Sequence, residues 1–433
     1  MSQGAIREER VVVLRPERGR AGSAGAPARD DVARLNEAIG LAEAIGLAVL
    51  HAESVRVGRV RPSTYLGSGT VERIADLIEA HEADLVVFDG ALSPVQQRNL
   101  ERAWRCKVID RTGLILEIFG ARARTHEGRL QVELAALSFQ RSRLVRSWTH
   151  LERQRGGFGF LGGPGESQIE MDRRLIDERL VKLRQELSDV QRTRALHRRA
   201  RQRIPAPIVT LVGYTNAGKS TLFNRLTDAS VFAENQLFAT LDPTMRRVRM
   251  PSGREVILSD TVGFISELPT ELIAAFRATL EEVSEADVVI HVRDIANPET
   301  EAQAEDVEAV LSAIGLREDA VRLEAWNKID LLASMDREEW DERALRRPDA
   351  IAISAATGEG CQELLAAIER SLDRTRQIRH FDVALANGAA IAWLYAHGRV
   401  VTRRDDEVLA RLDVAIDPAD AARFLQRFPQ STL

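Results

Sequence analysis

Short apolar runs alternate with helix-period stretches along most of the chain. Val11-Val12-Val13-Leu14 reads as a strand, and Val32–Ala48 carries apolar residues near every third or fourth position, as a helix does. Val71–His81 repeats that helical spacing, and Leu85-Val86-Val87-Phe88 and Lys107-Val108-Ile109-Asp110 are two more strand candidates. Together they predict a small α/β subdomain over residues 1–125. Within it Ala21–Arg29, rich in small residues and carrying Gly22, Gly25 and Pro27, predicts a loop.

From residue 126 to 204 the period changes. Leu130, Leu134, Leu137, Leu144, Trp148 and Leu151 follow alternating steps of four and three, with Arg141 at the one polar position. Ile176, Leu180, Leu183, Leu187 and Val190 repeat the pattern. Between the two runs lies Gly156-Gly157-Phe158-Gly159-Phe160-Leu161-Gly162-Gly163-Pro164-Gly165, six of whose ten residues are glycine. The spacing predicts a long antiparallel helical hairpin with a glycine-rich tip.

Ile204-Pro205-Ala206-Pro207 ends the second helix, because proline cannot continue it. Strand candidates at Ile208–Val212, Glu255–Leu258, Val288–Val292, Val321–Trp326 and Ile351–Ser354 are separated by helix-sized segments. They predict a doubly wound α/β sheet over 205–372. Residues 373–433 predict a small C-terminal α+β domain, with Ile391-Ala392-Trp393-Leu394 and Ala410–Ile416 as strands.

The strand Ile208–Val212 runs into Gly213-Tyr214-Thr215-Asn216-Ala217-Gly218-Lys219-Ser220, the pattern of a phosphate-binding loop. Its glycines let successive N–H groups turn toward phosphate oxygens, and the helix that follows adds its positive end. Lys219 supplies a point charge to the outer phosphates, and the Ser220 hydroxyl supplies a Mg²⁺ ligand. Asp260-Thr261-Val262-Gly263 follows a strand, so its carboxylate can hold Mg²⁺ through water and the Gly263 N–H can meet the γ-phosphate. Asn327-Lys328-Ile329-Asp330 follows another strand, and Asp330 can accept from guanine N1–H and the exocyclic amine. Adenine lacks that donor pair, so the set selects GTP. Ser354-Ala355-Ala356 lies where a backbone N–H can contact guanine O6.

A segment that senses the γ-phosphate must lie between the loop and Asp260. Phe238-Ala239-Thr240-Leu241-Asp242-Pro243-Thr244 is the candidate, with Thr240 preferred to Thr244 as a magnesium ligand. Lys219, Thr240 and Gly263 are the candidate catalytic residues for attack of water on the γ-phosphate. After Gly263, where a water-positioning glutamine is expected, the chain has Phe264. A phenyl ring cannot orient water by hydrogen bonding, which predicts slow intrinsic hydrolysis that a partner accelerates.

Charge changes the picture of partners. The 433 residues carry a net charge of −5, which argues against a general nucleic-acid binder and against DNA. Yet residues 140–204 hold sixteen arginines and lysines against eight aspartates and glutamates, leaving −13 for the remainder. Arg141, Arg143, Arg146, Arg153, Arg155, Arg173 and Arg174 flank the glycine tip. Arg153, Arg155, Arg173 and Arg174, with Phe158 and Phe160 to stack on unpaired bases, form a candidate RNA-binding set. Only four residues are lysine, and two of them, Lys219 and Lys328, fall in the nucleotide motifs. The two cysteines, Cys106 and Cys361, predict no disulfide scaffold and a reducing compartment. Met1–Arg7 lacks the apolar core of a signal peptide, and no apolar run of about 18 residues occurs.

The loop G-Y-T-N-A-G-K-S, the segment F-A-T-L-D-P-T, D-T-V-G-F and the upstream G-G-F-G-F-L-G-G-P-G-E-S resemble the HflX family of ribosome-associated GTPases over essentially the whole chain. The resemblance implies an α/β fold in which a Ras-like G domain is preceded by the small α/β subdomain and the hairpin and followed by the C-terminal domain. It implies Mg²⁺ with GTP and GDP as substrate and product, with Ser220 and Thr240 as the metal ligands. Binding of the large ribosomal (50S) subunit and its rRNA is also implied, as is hydrolysis stimulated by ribosomes and a role in splitting or rescuing stalled ones. A monomer in the cytoplasm, in part at the membrane, is expected. Two other functions compete: a GTP switch recruiting a protein at a membrane surface, and an RNA-remodelling enzyme with a second nucleotide site in residues 1–125.

Overall fold

The computed structural model describes residues 9–18, 31–154, 168–201, 206–227, 237–238, 241, 244–266, 283–317, 320–373, 377–416 and 418–430. The loop Ala21–Arg29 and the glycine-rich tip lie outside them.

The first unit is a sheet of β1 (Arg10–Arg18), β2 (Ala48–Val57), β3 (Leu85–Phe88) and β4 (Lys107–Asp110). Its order is β2-β1-β3-β4, and every pairing is parallel. The helix expected over Val32–Ala48 is shorter: α1 spans Asp31–Glu43. Gly46, at φ 77°, turns the chain out of the helix and into β2. No strand was expected there, because His51, Glu53 and Arg56 interrupt its apolar positions. Helix α2 (Ser68–Ala80) covers the expected Val71–His81 stretch. Helix α3 (Pro94–Trp104) opens on a capping box between Ser93 and Gln96. Helix α4 (Arg111–Arg122) opens on Asp110, whose carboxylate accepts from the Gly113 N–H at 2.9 Å.

Helices α5 (His126–Gln154) and α6 (Gln168–Arg201) follow. Leu130, Leu183 and Leu187 are buried between them, with Leu134, Leu137 and Val190 packed alongside. Arg179 pairs with Glu133 at 2.7 Å and Arg141 with Asp177 at 2.6 Å, so the helices run antiparallel.

The second sheet has six strands. β5 (Ile208–Val212) lies inside it, flanked by β7 (Glu255–Asp260) and β8 (Val288–Asp294). β9 (Val321–Asn327) and β10 (Ala350–Ala352) extend one side in parallel. At the other edge β6 (Thr244–Arg249) pairs antiparallel with β7. β6 was not expected, since three of its six residues are arginine and only Val248 is buried. The C-terminal unit is a three-stranded antiparallel sheet, β11 (Gln377–Ala384), β13 (Leu409–Ile416) and β12 (Gly398–Asp405) in that order. Ile391–Leu394, expected as a strand, is helical within Gly388–His397. The Asn387 side chain caps that helix by accepting from the Ala390 N–H at 3.1 Å. A four-residue apolar run fits either structure, and the cap decides it.

The largest core joins the first two units. Leu114, Ile118 and Phe119 of α4 lie in one cluster with Tyr214, Phe238, Leu241, Phe264 and Ile265. Phe119 meets Phe238 edge-on, with ring centroids 4.7 Å apart. Among the described residues no helix is long and apolar enough to cross a membrane. Cys361 is buried, and burial pushes the thiols of both cysteines up, as small apolar packing residues require.

Candidate nucleotide site

β5 ends at Val212 and the chain turns sharply at Gly213, φ 151°, where any Cβ would collide with the Val292 carbonyl. Asn216 at φ 59° and Gly218 at φ 96° complete the curl, and helix α7 (Lys219–Thr227) starts at once. A side chain at Gly218 would strike the Asn327 amide. That close approach is used: Asn327 Nδ2 donates to the Ala217 carbonyl at 2.8 Å, and Asn327 Oδ1 accepts from the Ala355 N–H at 2.9 Å. One buried amide therefore fastens the phosphate loop to both base-recognition segments. Arg225 of α7 reinforces this by donating to the carbonyls of Ala355 (3.2 Å) and Ala356. Thr221, Asn224, Arg225, Ala355 and Ala356 line a cavity of about 310 Å³. Asp330 is exposed, in a 3₁₀ turn begun by Lys328 at φ 71°. Lys328 is held by Asp294 at 2.7 Å, whereas Ile329 points into a separate small core.

Lys219 is buried, and its ammonium donates to the carbonyls of Gly213 (3.0 Å) and Tyr214 (2.7 Å). Burial lowers its pKa to about 8, against the opposing pull of Asp260. The Ser220 hydroxyl donates to Asp260 at 2.7 Å, and Asp260 is fully buried. A hydroxyl beside a carboxylate is a hard oxygen donor pair of the kind Mg²⁺ takes. The Thr261 hydroxyl is spent on the Leu211 carbonyl at 2.6 Å. A Cβ at Gly263 would stand 2.8 Å from Thr215 Cγ2 and 3.0 Å from Lys219 Nζ, so the glycine lies directly against the loop. Phe264 is tied there by its backbone: its N–H donates to Gly213 at 3.1 Å and its carbonyl accepts from Thr215 at 2.7 Å. Its ring is buried, as are the side chains of Tyr214, Phe238, Leu241 and Val262. These five can serve the nucleotide through backbone only. Ala239, Thr240 and Asp242 lie outside the described residues.

Sequence spacing gave no sign of a polar cluster linking the loop to the first unit. The Tyr214 hydroxyl donates to Glu37 of α1 and accepts from the Ser266 N–H at 2.9 Å. Ser266 Oγ donates to Glu37 at 2.9 Å, and Arg111 donates to Glu37 at 2.5 Å and to Ser266 at 3.1 Å. Asp89 completes it with a 2.5 Å bond to Arg111. Burial alone would raise the Glu37 carboxyl, but Arg111, Tyr214 and Ser266 together hold it below the ordinary range. Burial likewise lowers Arg111, and Asp89 and Glu37 outweigh it. Glu37 and Ser266 are 229 positions apart, beyond the reach of any motif.

Of the candidate RNA-binding residues, Arg173 and Arg174 are exposed on α6, beside Asp177 (4.0 Å) and Glu178 (3.2 Å). Arg143 faces inward to Asp110 at 3.0 Å. The Arg153 side chain, Arg155, Phe158 and Phe160 lie outside the described residues. Among the described residues no group of three or more His, Cys, Asp or Glu could hold a metal.

Four families match in chain order. Residues 32–120 match "GTP-binding GTPase N-terminal", 122–201 "GTP-binding GTPase Middle Region", 208–328 "50S ribosome-binding GTPase" and 339–431 "HflX C-terminal domain". GTPase HflX of Magnetococcus marinus is 52% identical over 389 residues, covering 90% of this chain and 89% of the relative. GTPase HflX of Escherichia coli is 48% identical over 343 residues, covering 79% and 80%. The crystal structure of a GTP-binding protein from Sulfolobus solfataricus in complex with GDP matches with TM-score 0.45 and 22% identity, covering 84% of this chain and 99% of that one.

Proposed function

The chain belongs to the HflX family and is a GTP hydrolase, and from that premise we propose that it binds the large ribosomal subunit and couples hydrolysis to splitting or rescue of stalled ribosomes. The observation that carries this reading is the match of residues 208–328 to the family described as a 50S ribosome-binding GTPase. The basic surplus of residues 140–204 supports the hairpin as the arm that meets rRNA, through Arg153, Arg155, Phe158, Phe160, Arg173 and Arg174. Mg²⁺ would accompany GTP, and Ser220, Thr240 and Asp260 are the oxygen donors that would hold it there and neutralise the phosphate charge. The protein works in the cytoplasm, where its substrate particle is.

Phe264 supports slow turnover by the protein alone. It is buried and fixed at both backbone ends, in the position where hydrolysis needs a polar group on water. The test is co-sedimentation with 50S subunits and a subunit-splitting assay under GTP, GDP and a non-hydrolysable analogue. Binding is expected with the analogue and loss of binding with GDP, and higher salt is expected to weaken the complex formed with the analogue. Ribosome binding unchanged by Arg153→Glu with Arg155→Glu would remove the hairpin from the proposal, and pelleting independent of nucleotide would remove the switch.

A further inference from the structure

We propose that Tyr214 is a positioning residue of the GTP switch: its hydroxyl fixes the backbone that follows Gly263, so that the γ-phosphate meets a sensor already in place. The inference deepens the reading of the nucleotide site. It rests on GTP binding at this loop and not on the ribosome.

Gly263 is the residue whose N–H is expected to meet the γ-phosphate. It lies against the loop, with Lys219 Nζ 3.0 Å from the place a Cβ would take. The chain after it is held at successive backbone points. The Phe264 N–H donates to Gly213 at 3.1 Å, and the Phe264 carbonyl accepts from the Thr215 N–H at 2.7 Å. The Ser266 N–H donates to the Tyr214 hydroxyl at 2.9 Å, and the Ser266 carbonyl accepts from Arg111 at 3.1 Å. The first two bonds join backbone to backbone, so any side chains allow them. The third is made by a side chain of the phosphate loop itself.

Tyr214 is 4% exposed, and its hydroxyl donates to Glu37. Glu37 is held ionised by Arg111, so it can only accept. The phenol proton therefore lies toward Glu37, and the phenol oxygen is left to accept from Ser266. The Tyr214 carbonyl meanwhile accepts from Lys219 Nζ at 2.7 Å. One residue thus holds the ammonium by its backbone and the sensor segment by its side chain. The side chain acts through Ser266 rather than on the nucleotide.

The consequence separates GTP from GDP. GDP ends at the β-phosphate and makes no use of Gly263, whereas GTP binds best when that segment is ordered. Ordering backbone costs entropy, and a segment fixed in advance removes that cost from the binding step. Without the hydroxyl the Ser266 N–H loses its acceptor, and the chain beyond Phe264 is held on one side only.

The test titrates a non-hydrolysable GTP analogue and GDP, each with Mg²⁺, into the parent, Tyr214→Phe and Ser266→Ala. Tyr214→Phe keeps the ring and loses the acceptor. Ser266→Ala loses a hydroxyl of the same cluster but keeps the N–H that Tyr214 holds. Analogue affinity of Tyr214→Phe is expected to fall about tenfold, with GDP affinity within about twofold of the parent. Ser266→Ala is expected to keep both affinities within about threefold. Unchanged analogue affinity in Tyr214→Phe, a GDP affinity that falls as far, or an equal fall in Ser266→Ala would each overturn the assignment. Hydrogen exchange of the nucleotide-free parent gives a readout that needs no variant. The peptide Gly263–Ser266 is expected to be protected, and exchange as fast as in an unstructured chain would overturn the assignment. The parent's affinities for both nucleotides come from the same titration, so a protein that binds no GTP is told apart from a Tyr214 that positions nothing.

Discussion

Lys219 shows how a single residue ties the chemistry to pH. In the protein alone its ammonium is buried among carbonyls and titrates near 8, whereas in the unfolded chain it titrates near 10.5. Phosphates favour the charged form, so above pH 8 nucleotide binding draws a proton onto Lys219. Calorimetry of GDP binding at pH 8.5, in two buffers of different ionisation enthalpy, is expected to report uptake of up to one proton, and near none at pH 6.5. Lys219→Met should abolish the difference. The sign for folding follows the same pKa pair. The unfolded chain holds more protons between pH 8 and 10.5, so Lys219 destabilises the fold at lower pH, and stability rises through that window. Motif order alone located Lys219 and the other loop residues in the sequence. It did not reveal the cluster of Glu37, Arg111 and Ser266 behind Tyr214, because residues as far as 229 positions apart meet only in the fold.

At the scale of elements, periodicity worked where one face is buried and failed where burial is shared or interrupted. The four-three spacing of α5 and α6 was legible because Leu130, Leu183 and Leu187 form one continuous seam. β2 was hidden by its charged positions and β6 by its edge location. The run Ile391–Leu394 was misread because nothing in four apolar residues distinguishes a strand from a capped helix. The seam makes a direct prediction. Leu183 is fully buried, and Leu183→Ala is expected to cost about 2–5 kcal/mol. Chemical denaturation should show a lower midpoint at an unchanged slope. Asn387→Ala, which removes only a cap, should cost about 1 kcal/mol in the same assay.

Across the whole molecule, Glu37, Arg111, Tyr214 and Ser266 join the first unit to the phosphate loop and to the segment after Gly263. Glu37→Gln removes the carboxylate that faces Arg111, and breaking a buried pair in this way costs about 3–5 kcal/mol. The carboxyl is held below its ordinary range, so its contribution is present above the unfolded pKa near 4.5 and fades as pH falls through the lower folded value. Melting temperatures of parent and Glu37→Gln should therefore differ at pH 7 and converge in acid. A constant gap across that range would mean that the charge is not what binds the units. The shared core beside this cluster also bears on how the chain is made. Leu114, Ile118 and Phe119 share this core with residues as late as Leu311, which is translated about 190 residues after them. At roughly 5–20 residues per second, that apolar face waits on the order of ten to forty seconds on the nascent chain. Synthesis of this protein should thus pass through an interval of chaperone dependence that ends only when the segment up to Leu311 has emerged.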